Sequence, residues 1–82
     1  MELMPQHPPL APAWPPNRFE VRWELPGGGV ESDGYHFADW AREAARRAYG
    51  RGMARNVHVV RLGDGVVVFD PGNEVELPVE EW

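Results

Sequence analysis

Hydrophobic and polar positions change period along this chain, and each change marks an element. In residues 18–25, Phe19, Val21, Trp23 and Leu25 alternate with Glu20, Arg22 and Glu24. A period of two predicts a half-buried strand. Pro26, Gly27, Gly28 and Gly29 break it, and residues 30–33 return as a short second strand. Phe37, Trp40, Ala41, Ala44, Ala45, Ala48 and Tyr49 then recur three and four apart. That spacing gathers them on one side of a helix starting near His36 and ending at Gly50, which suits a left-handed cap. We expect this aromatic and alanine face to lie buried on the sheet. Residues 56–62 carry apolar side chains on both faces, as a central strand does. Gly63, Asp64 and Gly65 predict a tight turn, and residues 66–69 form the returning strand. Residues 74–79 alternate again, but Pro78 confines them to a sheet edge.

The expected fold is α+β: a small β-β-α-β-β domain with one helix on one face of a mainly antiparallel sheet. A short fifth edge strand completes it. The pattern leaves open which sheet face the helix covers. The open face carries Arg22 and either His58 or the Val57 and Val59 pair. An apolar open face would need a cover. Residues 18–79 make the domain, and residues 80–82 make an acidic tail ending in Trp82. Residues 1–17 hold six prolines, which favours an extended polyproline arm. Leu10 and Trp14 are its candidate anchors in a partner groove.

Composition sharpens this picture at three points. A chain of 82 residues buries a modest share of its surface, so support from a second copy or a partner is expected. Cysteine is absent, which excludes disulfides, thiolate metal sites and a cysteine nucleophile. No apolar run approaches the roughly 18 residues of a membrane span, and the first residues lack a secretory pattern, so the expected location is the cytoplasm. All eight basic residues are Arg, which points to a GC-rich bacterial or phage genome.

Charge is unevenly spread. Residues 42–61 hold six Arg and one acid, whereas the remainder holds two Arg and twelve acids, for a net charge of −5. Arg42, Arg46, Arg47, Arg51 and Arg55 form a basic flank along and beyond the helix. It is a candidate contact surface for an acidic protein or for phosphates. Arg42 and Arg46 lie one turn apart, and Glu43 and Arg47 form an i,i+4 pair.

Catalytic chemistry has little to stand on. His7, His36 and His58 lack the spacing that sets two metal ligands on one helix face. His36 and Asp39 suit a helix cap better than a metal site. Ser32 is the only hydroxyl of its kind, and no nucleophile elbow surrounds it. The glycine run lacks the lysine and helix start of a phosphate loop. No cofactor is expected.

The expected function is therefore a non-enzymatic module that binds another protein or a second copy of itself. Its candidate contact residues are Trp14, Arg42, Arg46, Arg47, Arg51, Arg55 and Trp82, since Arg and Trp dominate binding hot spots. The alternatives are nucleic-acid binding through the five Arg and, last, a small enzyme using His36, Asp39 and His58.

Overall fold

The computed structural model describes residues 16–82; the arm's Leu10 and Trp14 lie outside them. Strands β1 (Phe19–Glu24) and β2 (Val30–Tyr35) form a hairpin, followed by helix α1 (Ala38–Gly50). Strands β3 (Arg55–Arg61), β4 (Val67–Asp70) and β5 (Val75–Glu76) complete the element order, with short 3₁₀ turns at Pro71–Asn73 and Val79–Glu81. The five strands form one antiparallel sheet in the order β2-β1-β3-β4-β5. The α+β fold is therefore as the hydrophobic pattern indicates. Strand β3 runs down the middle, and β5 is cut to two residues by the approach to Pro78.

The register decides which face α1 covers. Val21 lies opposite Val59, and Val59 opposite Phe69. Directly opposed residues share a face, so these three stand together. With Phe19, Val57 and Val68 they form a buried cluster that includes Ala41 and Ala45 of the helix. The Val57 and Val59 set is thus under the helix. Arg22 pairs with His58 on the other face, where Glu20 also bonds Arg22 at 2.6 Å. The open face carries Glu20, Arg22 and His58 beside Val60 and Val67, so it is not the Val57 and Val59 face that would have required a cover.

Only alanines of α1 are buried against the sheet. Ala41 and Ala45 are fully buried, whereas Phe37, Trp40 and Tyr49 are 48%, 63% and 50% exposed. This overturns the expectation of a buried aromatic face. At about 100° per residue, the seven periodic positions spread over roughly half the helix circumference. A helix seated closely on small side chains touches the sheet along a narrow stripe, and the edges of the arc stand clear. Phe37 is also not helical: it is the extended residue at the N-cap.

Trp82 supplies the bulk that the alanines lack. It is 7% exposed, and its ring lies 5.9 Å from Phe19 and 6.1 Å from Phe69. Its indole N–H donates to the Leu77 carbonyl at 2.8 Å. A contact residue in a tail was expected here; the structure makes it part of the core. The folded unit accordingly runs through residue 82.

Two bulges shape the central strand. Arg22 pairs with His58 and Glu24 with Arg55, so β3 uses three residues where β1 uses two. Asn56 absorbs the extra residue at φ 56°, a left-handed conformation that Asn tolerates better than most residues. Its side chain donates to Glu24 at 2.8 Å. On the other side, Val60 pairs with Val67 and Val59 with Phe69. The extra residue on β4 is Val68, and both Val68 and Phe69 reach the core. At the end of α1, Gly52 (φ 73°) takes the left-handed position expected of Gly50. The helix continues through Gly50, and Arg51 N–H still donates to the Arg47 carbonyl.

Removing Trp82 opens a cavity between two phenylalanines, so Trp82→Ala lowers stability by about 3–5 kcal/mol in urea unfolding. Trp82→Phe keeps most of that contact. An alanine variant within about 1 kcal/mol of wild type contradicts the core role. At the bulge, Asn56→Gly and Asn56→Val both lose the bond to Glu24. Their difference reports the backbone alone, and Gly is favoured by about 1–2 kcal/mol in the same assay.

Candidate functional site

The Arg flank does not form one continuous surface. Arg46 points toward β5 and bonds Glu76 at 3.0 Å, in a shallow cleft shared with Tyr49 and Val75. Arg47 and Arg51 lie on the opposite side of α1, beside the β1–β2 hairpin. Arg42 contacts Asp39 at 3.5 Å, and Arg47 contacts Glu43 at 3.7 Å. These pairs are exposed, so each contributes little to stability. They do reduce the positive charge that the flank presents outward. Arg51 and Arg55 have no ion-pair partner among the described residues; Arg55 sits across from Glu24 in the sheet.

Arg61 plays a different part. Its guanidinium donates to both Asp64 oxygens, at 3.0 and 2.7 Å, and to the Glu81 carbonyl at 2.7 Å. One side chain thereby ties the β3–β4 turn to the segment that carries Trp82. Asp64 also accepts from the Val66 N–H at 3.1 Å. The Arg61 bond, and then the Val66 bond, hold the Asp64 carboxyl below its usual range.

His36 and His58 have different partners. His36 donates from Nδ1 to the Pro16 carbonyl at 2.7 Å and meets the Phe37 ring edge-on at 4.8 Å. It does not cap α1, whose N-cap makes no side-chain bond. His58 donates to the Asn56 carbonyl at 2.7 Å, on the polar sheet face. A carbonyl only accepts, so each ring carries its proton on Nδ1. Asp39 faces Arg42 rather than His36. No group of three possible metal ligands occurs among the described residues.

Two surface features emerge that residue patterns did not single out. The first is a row of rings at the start of α1: Phe37 lies 4.8 Å from His36 and 5.1 Å from Trp40. The second is a groove of about 450 Å³ between α1 and the hairpin. Trp23 and Tyr35 line it together with Glu31, Asp33, Ala44 and Ala48. Residues 30–34 are all exposed, because α1 sits over β1 and β3 and meets β2 less than either. A strand holding only Val30 and Tyr35 as large apolar residues carries that signal in its sequence. Gly34, next to its last residue, accommodates the amide of Asn17, which lies where a Cβ would stand.

Comparison with protein-family models, curated proteins and solved structures yields no match to this chain. No helix among the described residues is long and apolar enough to cross a membrane.

The lowered Asp64 carboxyl predicts a specific acid dependence. A group with a depressed folded pKa stabilises the fold above its unfolded value, near 3.9 for Asp, and that contribution is lost as pH falls through the folded value. Wild type should hold a constant advantage over Asp64→Asn from neutral pH to about pH 5, and the gap should close below about pH 4. Thermal melts followed by tryptophan fluorescence measure it. A gap that widens on acidification contradicts the pairing.

Proposed function

We propose that this chain is a non-enzymatic protein-interaction module, acting in the cytoplasm on another protein or on a second copy of itself. One observation carries the reading: Phe37 and Trp40 stand outside a core that is already closed. Ala41, Ala45 and Trp82 seal the covered face, so the exposed rings are not needed there. Aromatic side chains in edge-on and tilted contact at a helix start are large and costly to leave in water, which is the character of binding hot spots. The nucleic-acid alternative draws less support. Arg42, Arg46, Arg47 and Arg61 are all engaged by acids of the same chain, and the net charge of −5 opposes phosphate binding.

A random-peptide display library panned on the purified chain, with light scattering to register self-association, tests this. The expected result is enriched peptides or a concentration-dependent dimer. Either should weaken by more than about tenfold in Phe37→Ser/Trp40→Ser, with the melting temperature nearly unchanged. A monomer that enriches no peptide above background contradicts the proposal.

A further inference from the structure

We infer that the outer edge of β2 takes up an extended segment of a basic protein partner as a sixth strand. This rests on the reading of the chain as a protein-interaction module. β2 ends the sheet, and among the described residues nothing pairs with its outer side. Leu25 N–H donates to the Gly29 carbonyl, which makes that pair a hydrogen-bonded one. Bonded pairs alternate along an antiparallel ladder, so Trp23 with Glu31 and Val21 with Asp33 follow. The N–H and C=O groups of Val30, Ser32 and Gly34 therefore face outward. An unpaired edge beside a helix-walled groove is the geometry of strand addition. In that mode backbone bonds give affinity, and alternate side chains give specificity.

Charge identifies the occupant. A strand added to β2 sets its alternate side chains against Glu31, Asp33 and Tyr35, on the groove side. Two acids beside Trp23 and Tyr35 favour Lys or Arg, whose stems lie on the rings while their charges meet the carboxylates. Arg47, on the far wall, is occupied by Glu43; Arg51, at the helix end, is the one opposing charge. The net charge of −5 also draws a basic segment in. A second copy is disfavoured, because β2 against β2 would crowd four carboxylates on one face. The chain's own first fifteen residues contain no Lys or Arg. All ladders in the sheet are antiparallel, so the favoured segment reads apolar-x-basic-x-basic. Its apolar residue lies opposite Tyr35.

The test is an NMR titration of the full ¹⁵N-labelled chain with the acetylated peptide Leu-Thr-Lys-Thr-Lys-Thr and with its Lys-to-Glu counterpart. The basic peptide should shift the amides of β2 and bind at least about tenfold more tightly than the acidic one. Glu31→Lys/Asp33→Lys should reverse that preference. Ser32→Pro removes the outward N–H and should abolish binding, with Ser32→Ala as the folded control. Shifts confined to Phe37, Trp40 and Arg42 overturn strand addition while leaving the interaction module standing. No shift with either peptide at millimolar concentration also overturns it, and the display experiment then judges the module separately. Equal binding of both peptides overturns the charge assignment and with it the basic partner.

Discussion

The close seat of α1 on the sheet is the constraint from which the other features follow. Ala41 and Ala45 have no side chain beyond Cβ, so the helix axis can approach β1 and β3 until backbone and valine side chains meet. Dense packing needs no large residue on the helix side. The consequence is a narrow footprint. One helix covers β1 and β3 well, reaches β2 only in part, and turns its own large rings away from the sheet. The volume missing at one end of the sheet is filled from residue 82, with Trp82 between Phe19 and Phe69.

Each remaining element compensates for that arrangement. The Asn56 bulge re-registers β3 against β1 under the helix. The Val68 bulge turns an extra apolar residue into the core. Arg61 fastens the segment leading to Trp82 through the Glu81 carbonyl, and Asp64 orients Arg61. The polar face with Arg22 and His58 carries little packing load. The surfaces that could serve recognition, the ring row and the β2 edge, both lie where the helix footprint stops.

Element order was legible in the sequence because each element has its own period. The alternation from Phe19 to Leu25, the three-and-four spacing of the alanines and the turn at Gly63, Asp64 and Gly65 all correspond to elements of the fold. Burial was less legible. Periodicity reports which side of a helix a residue occupies, but not how far around that side the sheet extends. Trp40 and Ala41 are neighbours in the same arc, yet one is mostly exposed and the other fully buried. Trp82 is obscured for the opposite reason: following Glu80 and Glu81, it looks like a solvated tail, and only the long-range contacts with Phe19 and Phe69 show otherwise. The Arg flank read as one surface because linear spacing does not show which side of the helix axis each residue takes. Arg46 and Arg47, adjacent in the chain, line different clefts.

Two tryptophans are inverted relative to their sequence context: Trp40 on the helix lies outside, and Trp82 beside the acidic Glu80 and Glu81 lies inside. Labelling with 5-fluorotryptophan gives a separate ¹⁹F resonance for each, assigned by single Trp-to-Phe variants. The solvent-isotope shift between H₂O and D₂O then reads exposure site by site in the native protein. The account predicts a large shift for Trp40 and almost none for Trp82. A shielded Trp40 together with a solvent-sensitive Trp82 would contradict it.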